Sequence, residues 1–128
     1  MTVAPVVSAL PQRILGKTGE QVPILGLGTA PGGFGLEDAA AIELIEMAID
    51  RGVTYLDTAP GYERAQSQLG NIVPRRRDEI FLVTKVLTSD GKEAVEKLEE
   101  NVMEDIRMAE ITRVQNVGSR AIQSKQVV

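Results

Sequence analysis

The chain has 128 residues, 43% of them hydrophobic and 25% charged, and a net charge of −4. This length provides for one ordinary hydrophobic core, and the acidic balance argues against nucleic acid or an anionic membrane as a partner. Cysteine and histidine are absent, which excludes disulfides and thiol nucleophiles and leads us to expect no metal site. Residues 1–10 are apolar but few, without a basic segment. We therefore expect neither a secretory signal nor a membrane span, and a cytoplasmic protein.

The N-terminal part of the chain predicts a small hairpin. Residues 1–11 are interpreted as a flexible lead-in to one domain over residues 12–128. Two short strand-like runs, 12–15 and 21–24, flank a turn that contains two glycines. Because Pro23 in the second run cannot donate a backbone hydrogen bond, we expect the hairpin to lie at an edge.

Apolar runs that alternate with helical segments predict buried strands at 24–28, 53–56 and 80–84. A glycine-rich loop over 29–35 follows the first run. The second run leads directly to Asp57, and the third leads to Lys85. This alternation indicates an α/β fold with a parallel sheet and right-handed crossovers, in which the strand ends share one edge.

The helices between these strands are predicted from caps and periodicity. Asp38 is expected to cap a helix over 39–51, which has isoleucines at helical spacing along one face. A weaker helix over 65–73 is expected to stop at Pro74. The arginines at 75–77 are followed at once by acidic residues and are interpreted as a solvated loop.

Beyond the third strand the pattern weakens. Asp90 and Glu93 form a capping pair for a further helix. The run 111–114 is interpreted as a candidate fourth strand, and the polar residues after it show no periodicity.

Asp57, Tyr62 and Lys85 form the strongest candidate for a catalytic site. A phenol is a poor proton donor at neutral pH unless a neighbouring charge, such as an ammonium, stabilises its phenolate. An aspartate keeps that ammonium charged and oriented. The three residues therefore predict acid–base chemistry in which Tyr62 protonates a carbonyl oxygen as hydride reaches its carbon. Each also has a purely structural interpretation: a turn residue, a packed ring and a strand-end charge.

The glycines and hydroxyl residues of the chain suggest other kinds of site. The glycines at 26, 28 and 32 follow a strand and precede a helix, as in a dinucleotide-binding fingerprint with Asp57 on the ribose. The third glycine is one place late and Pro31 interrupts the turn, so the fit is poor. A Ser or Thr nucleophile has no histidine to act as its base, and no spacing indicates a Ser–Lys pair.

At these residues the chain resembles the aldo-keto reductases. The motif DTAPGY at 57–62 is similar to that family's second-strand signature, and FLVTK at 81–85 is similar to its third strand. The run 13–19 resembles the hairpin that closes the bottom of the family's barrel, and 24–29 resembles its first strand. The resemblance covers about residues 12–106.

The resemblance implies the N-terminal half of a (β/α)8 TIM barrel, with a β-hairpin followed by three to four strand–helix units. It also implies NADPH-dependent reduction of aldehydes or ketones to alcohols. In this assignment Tyr62 is the general acid, Lys85 tunes it and Asp57 pairs with Lys85. Gly28 and Thr29, together with Asp57, would contact the cofactor, with the first two close to the nicotinamide.

Two features depart from the family pattern. The family's fourth catalytic residue is usually a histidine, and here Gln115, with Asn116 as the second choice, falls at that position; an amide orients a carbonyl but does not titrate. The chain also ends after about four strands, which truncation, a frameshift or a naturally short product would each explain. A half barrel leaves strand edges and an apolar face uncovered. We expect it to self-associate, to pair with a second half-barrel or to stay partly molten.

These interpretations lead to three functions. The first is an oxidoreductase acting on a small carbonyl substrate. The second is a non-catalytic relative that pairs with another polypeptide as an interaction or regulatory module, favoured by the missing histidine and cofactor loops. The third is a small dinucleotide-binding α/β domain.

Overall fold

The computed structural model describes residues 9–100 and Ile106 and, by backbone alone, residues 113–116 and 121–125. Its strands are β1 (Gln12–Ile14), β2 (Gln21–Pro23), β3 (Gly26–Gly28), β4 (Tyr55–Asp57), β5 (Phe81–Lys85), β6 (Arg113–Asn116) and β7 (Ala121–Lys125). Its helices are α1 (Ala30–Gly35), α2 (Asp38–Asp50), α3 (Ala65–Leu69), α4 (Val73–Arg76) and α5 (Gly91–Glu100), with a 3₁₀ turn at Arg77–Glu79. None of the helices in these ranges combines the length and the apolar composition needed to cross a membrane.

The predicted N-terminal hairpin is confirmed. β1 and β2 pair antiparallel, with Arg13 opposite Val22. The connecting turn places Gly16 and Gly19 at positive φ (54° and 76°), a region that glycine enters without steric cost. Val22 packs in one apolar cluster with Phe81 from the start of β5. The hairpin therefore covers the N-terminal end of the sheet.

β3, β4 and β5 form the predicted parallel sheet in chain order. Leu27 is level with Leu56, and Leu56 is level with Leu82. The carboxyl ends of the three strands therefore meet at one edge of the sheet.

The sheet is not parallel throughout. β7 pairs antiparallel with β5, and β6 pairs antiparallel with β7, which gives the order β3-β4-β5-β7-β6. The candidate fourth strand at 111–114 corresponds to β6, which lies at the edge and not beside β5. Residues 117–120 alone join β6 to β7, and so short a connection links antiparallel strands but not parallel ones. The candidate fourth strand is therefore a strand, but it does not extend the parallel part of the sheet.

α2 follows the predicted isoleucine pattern. Ile45 and Ile49 are buried, and Ile42 is partly buried beside them. The predicted cap is wrong by one residue: Glu37 is the N-cap and Asp38 is the first residue of the helix. The Asp38 carboxylate accepts a hydrogen bond from a glutamine side chain of α3, so it serves a contact between helices and not a cap.

The glycine-rich loop expected over 29–35 is instead helical, as α1. Pro31 lies in its first turn, where the missing N–H of proline costs no hydrogen bond. Gly33 is buried against the backbone of Tyr62 and Ala65, where a side chain would not fit. Packing against the chain that follows β4 thus overrides the low helix propensity of glycine.

The single helix expected over 65–73 is two helices. α3 ends at Leu69, and α4 begins at Val73. Pro74 does not stop a helix. It lies in the first turn of α4, a position that suits proline.

The arginines of α4 and the turn after it are not a solvated loop. Arg76 pairs with Asp50 of α2 and with Glu79, each at 2.7 Å, and so ties α4 to α2. Arg77 is buried, and its Nη1 donates to the carbonyl oxygen of Ile80 at 2.7 Å. Burial lowers the pKa of Arg77 to about 10.

The predicted start of the last helix is confirmed. Asp90 Oδ1 accepts hydrogen bonds from the backbone N–H groups of Lys92 and Glu93, at 2.8 and 2.9 Å. Lys97 pairs with Glu93 at 2.7 Å one turn along the helix. Asp90 thus satisfies two backbone N–H groups in the first turn of α5, and the ion pair joins successive turns of the helix.

The main core lies between the sheet and the helices. Leu56 and Leu82 point toward the helices and are fully buried. Tyr55 and Phe81, one residue earlier on the same strands, belong to a second cluster that includes the hairpin. The helix-side cluster includes Ile45, Ile49, Leu56, Leu69, Ile72, Val73, Leu82 and Leu98. One face of the sheet thus packs against the helices, and the other packs against the hairpin.

Candidate active site

Two consecutive strand ends carry opposite charges. β4 ends at Asp57, and β5 ends at Lys85. In the parallel register Asp57 is level with Val83. Lys85 lies two residues beyond Val83, so its side chain leaves the same face of the sheet as that of Asp57.

The Lys85 ammonium is held by two oxygen atoms. Its Nζ donates to Asp57 Oδ1 at 2.6 Å and to the carbonyl oxygen of Thr58 at 2.9 Å. The Lys85 and Asp57 side chains are 28% and 35% exposed, so the pair is only partly shielded from water. Charge-assisted hydrogen bonds of this kind fix the direction in which the ammonium points.

Tyr62 follows β4 in a tight turn and lies beside the ammonium. Lys85 Nζ is 5.0 Å from the centroid of the tyrosine ring, within the range of a cation–π contact. Backbone hydrogen bonds from Tyr62 N to the Ala59 carbonyl and from Ala65 N to the Tyr62 carbonyl close the turn, at 3.1 and 3.0 Å. Glu63 adopts φ of 48°, which is uncommon for a residue other than glycine. The tyrosine therefore joins the charged pair in one cluster.

An exposed aromatic ring stands next to this cluster. Phe34 of α1 is 55% exposed, and its ring centroid lies 6.4 Å from that of Tyr62. Covering exposed apolar surface lowers the free energy, so this pair of rings suits the apolar part of a bound molecule. Phe34 could not be identified from the sequence, because a single aromatic residue in a segment expected to be a loop gives no signal.

Tyr55 lies beneath the cluster on the same face of β4. It stacks on Phe81 with ring centroids 5.1 Å apart. Burial raises the pKa of Tyr55, and the charge of Asp57 adds to this, while Lys85 acts in the opposite direction. The base of the cluster is therefore a neutral, aromatic surface. The sequence could have identified Tyr55, because it lies two residues before Asp57 and residues two apart on a strand point to the same face.

Thr29 ties the end of β3 to the end of β4. Its backbone N–H and its hydroxyl both donate to the carbonyl oxygen of Asp57, at 2.9 Å. Gly28 is level with Asp57, and among the described residues nothing lies within 4 Å of the place where its β-carbon would stand. The predicted cofactor residues thus present open backbone next to the charged pair, with the threonine hydroxyl already in use.

The fourth predicted catalytic residue, Gln115, belongs to β6 by its backbone. Its side chain, like that of Asn116, lies outside what the structure describes. Gln115 is level with Gln123 of β7, so one strand separates it from β5. Its role stays a prediction.

The family model for the aldo/keto reductases, described as "Aldo/keto reductase family", matches residues 24–121. The chain belongs to the aldo/keto reductase family. The match contains every residue of the candidate site, from Gly28 to Gln115. It confirms the resemblance that the strand-end motifs indicated.

Two curated relatives match part of this aldo/keto reductase chain. An 80-residue segment is 41% identical to pyridoxal 4-dehydrogenase from Microbacterium luteolum and covers 59% of this chain and 23% of that protein. A 76-residue segment is 40% identical to aldo-keto reductase YhdN from Bacillus subtilis strain 168 and covers 53% of this chain and 23% of that protein. The matched segment is therefore less than a quarter of the length of either relative.

The solved structure of aldo-keto reductase AKR11C1 from Bacillus halodurans, in its holo form, shares the fold. The TM-score is 0.66 at 21% sequence identity, over 77% of this chain and 37% of that chain. With its hairpin and three parallel strands, this aldo/keto reductase chain corresponds to the N-terminal half of a (β/α)8 barrel. The predicted fold class is confirmed, and the site lies at the carboxyl ends of the strands, where such barrels carry their chemistry.

Proposed function

We propose that this chain carries the proton-transfer residues of an NAD(P)H-dependent reductase that converts aldehydes or ketones to alcohols. One observation carries the proposal: Lys85 Nζ is fixed by Asp57 and the Thr58 carbonyl while it faces the Tyr62 ring. An oriented ammonium beside a phenol favours proton transfer from that phenol to a substrate oxygen, because the ammonium stabilises the negative charge that the transfer leaves behind. Membership of the aldo/keto reductase family supports the oxidoreductase class.

The bound nicotinamide cofactor would supply hydride to the carbonyl carbon. Tyr62 donates its phenolic proton to the carbonyl oxygen and becomes a phenolate, which the Lys85 ammonium stabilises. Asp57 holds that ammonium in place, so charge develops beside a cation that is already oriented. After the alcohol leaves, Tyr62 recovers its proton from solvent. The partial exposure of Lys85 and Asp57 supports access of water to this end of the site.

Open backbone at Gly28 supports a nicotinamide position beside the charged pair. A flat ring needs close approach to the strand end, and Gly28 has no side chain to prevent it. Thr29 contributes by locking β3 to β4, since its hydroxyl already donates to the Asp57 carbonyl. The choice of NADPH over NADH rests on the family resemblance.

A small carbonyl compound with an apolar or aromatic portion is the proposed substrate. The exposed ring of Phe34, 6.4 Å from that of Tyr62, offers a surface for such a portion. The name of the relative pyridoxal 4-dehydrogenase supports aromatic aldehydes as a class to test. Gln115 is proposed to orient the carbonyl by hydrogen bonding. We place the reaction in the cytoplasm.

A second half-barrel is the proposed partner of this sheet. Within the described residues β3 is paired on one side only, with β4. Next to that edge, Leu27, Leu36 and Leu44 help to line an apolar cavity of about 250 Å³. Covering the edge would remove both an unpaired strand and this apolar surface from water. The covering unit is either a second copy of the chain or the remainder of a longer polypeptide.

The cofactor site is tested first by titration with NADPH. Binding is measured through the emission of the nicotinamide itself, because the chain contains no tryptophan. Carbonyl reduction is then measured with aldehydes, pyridoxal included, for the wild type, Tyr62→Phe and Tyr55→Phe. We expect Tyr62→Phe to bind NADPH normally and to lose about 10²–10⁴-fold in turnover, the usual contribution of a general acid. Tyr55→Phe removes the same atom from a neighbouring ring and should retain turnover. Undiminished reduction by Tyr62→Phe would contradict the proposal.

A non-catalytic interaction module is the second candidate. One observation favours it: the sequence contains no histidine, the residue that usually completes the family's catalytic set. A defined oligomer or a stable complex with a second half-barrel, without NADPH binding or reduction, would support this function. The dinucleotide-binding domain gains no support, because the glycine segment after β3 forms the six-residue helix α1 and not a phosphate-binding loop.

A further inference from the structure

On the helix side of the sheet, a buried hydrogen bond joins β5 to α3, the two elements next to Lys85 and Tyr62. The Thr84 hydroxyl donates to Oε1 of Gln66 at 2.6 Å. Thr84 and Gln66 are 0% and 2% exposed, so neither side chain reaches water. Loss of the Thr84 hydroxyl would remove this donor from the buried side-chain oxygen of Gln66. Breaking the bond would therefore cost stability.

The pleat of β5 explains why this bond bears on the site. Thr84 immediately precedes Lys85, and successive side chains on a strand point to opposite faces. Lys85 faces the cluster of Asp57 and Tyr62, so Thr84 faces the helices. The hydroxyl therefore fixes the strand end at the residue next to the ammonium.

The other partner belongs to the segment that carries the tyrosine. Gln66 is the second residue of α3, and the chain reaches α3 directly from the Tyr62 turn. The hydrogen bond thus links two segments 18 residues apart, one leading into Lys85 and the other leading out of Tyr62. The 5.0 Å separation between ammonium and ring depends on the positions of both segments.

We propose that the Gln66–Thr84 hydrogen bond is a positioning element that holds the Tyr62 ring against the Lys85 ammonium. The proposal deepens the reductase function and rests on it. Neither residue touches a reacting atom: Thr84 acts through Lys85, and Gln66 acts through Tyr62. Loss of either side chain should therefore change the distance between the Tyr62 ring and the Lys85 ammonium while the chain still folds.

NMR of the tyrosine Cζ carbons measures this geometry without requiring activity. The chain has two tyrosines, so a ¹³Cζ-tyrosine sample gives two signals, and Tyr55→Phe assigns them. Lys85→Met gives the position of the Tyr62 signal without the ammonium. In Thr84→Val, which keeps the shape of the side chain but lacks the hydroxyl, we expect the Tyr62 signal to move toward that position. Thr84→Ser restores the hydroxyl and should return the signal to its wild-type position.

Two further variants make the result decisive. Gln66→Met removes the acceptor and should move the Tyr62 signal in the same direction, which covers the case of an unstable Thr84→Val. Ile72→Val is the matched packing control, because Ile72 is fully buried in the same helix-side core and carries no polar atom. It should leave the Tyr62 signal in place. An unmoved signal in folded Thr84→Val or Gln66→Met, or an equal movement in Ile72→Val, would overturn the proposal.

Kinetics separate this inference from the reductase function. If the wild type reduces carbonyl compounds, Thr84→Val should lower kcat by about ten- to a hundredfold with little change in KM, because it misplaces groups that act in the transition state. Thr84→Ser should recover kcat. If the wild type reduces none of them, the reductase proposal fails, and the NMR comparison still decides whether the hydrogen bond positions the ring.

Discussion

Gly33 lies so close to Tyr62 that a β-carbon at position 33 would stand 2.1 Å from the Tyr62 carbonyl oxygen. The same β-carbon would come within 2.9 Å of Ala65. α1 and the turn after β4 therefore touch backbone to backbone, and the segment that carries the tyrosine has no room to approach α1 further. The missing side chain of Gly33 is part of what places the Tyr62 ring.

Gly33→Ala tests this contact. We expect a loss of about 1–3 kcal/mol in the free energy of unfolding, as for an overpacked site, because the methyl group forces the Tyr62 turn outward. Urea unfolding gives the stability, and the ¹³Cζ signal of Tyr62 reports the displacement. Gly35→Ala is the control on the same helix, since among the described residues nothing lies within 4 Å of its β-carbon position. Equal stability of the two variants would contradict the close approach.

Lys85→Met removes the ammonium and leaves an aliphatic side chain of similar length. We expect kcat for carbonyl reduction to fall by about 10²–10³-fold, since the phenolate of Tyr62 loses the cation that stabilises it. NADPH affinity, measured by nicotinamide emission, should change far less. Lys85→Arg should restore little, because a planar guanidinium does not place a single donor atom against both Asp57 and the Thr58 carbonyl. Wild-type turnover in Lys85→Met would exclude a role for the charge.

Leu56→Ala should show that the central strand depends on the helix-side core. Leu56 is 0% exposed and lies in β4 between two paired strands. The lost burial and the resulting cavity are expected to cost about 2–5 kcal/mol, measured by denaturant unfolding. Leu25→Ala, at a position 53% exposed, removes the same atoms from the surface and should change stability by less than about 0.5 kcal/mol. Similar losses at the two positions would contradict the assignment of the core.

The ion pair between Glu79 and Arg76 should make stability depend on pH in the acid range. Hydrogen bonding from Arg76 lowers the pKa of Glu79 from its ordinary value of 4.5. A carboxyl group whose pKa is lower in the folded state stabilises it above the unfolded pKa, and this contribution disappears as the pH falls through the folded pKa. Because about half of the Glu79 side chain is exposed to water, which screens the interaction, we expect about 0.2–1 kcal/mol.

Urea unfolding of Glu79→Gln at a series of pH values measures this contribution. The variant should be less stable than the wild type near neutral pH, and the difference should vanish at low pH. Glu43→Gln is the control, since Glu43 makes no ion pair among the residues that the structure describes. A difference that persists unchanged into acid would mean that Glu79 acts through something other than its charge.

The strand ends and the hairpin could be predicted because their signals are local. The β-branched run before Lys85 and the apolar run before Asp57 each mark a strand and its last residue. The glycines of the hairpin mark a turn that requires positive φ. The boundary between residues 1–11 and 12–128 stays a prediction, as do the catalytic roles of the site residues.

The features that sequence analysis missed depend on residues far apart in the chain. The helix α1 forms across glycines because Gly33 packs on the Tyr62 turn. Asp38 does not cap α2, because Gln68, 30 residues away, engages its carboxylate. From the sequence Arg77 is expected in solvent. In the structure it is buried, and the Ile80 carbonyl accepts its hydrogen bond. No local pattern encodes such partners.

The Thr58 carbonyl, 2.9 Å from Lys85 Nζ, has one property that the Asp57 carboxylate lacks. Every amino acid supplies a main-chain oxygen, so this half of the lysine's anchorage cannot be lost through a change of side chain at position 58. If Asp57 were replaced, the Thr58 carbonyl would still offer one acceptor to the Lys85 ammonium. Side-chain and main-chain acceptors can thus vary independently at this strand edge: the residue at position 57 can change while the acceptor at position 58 stays in place.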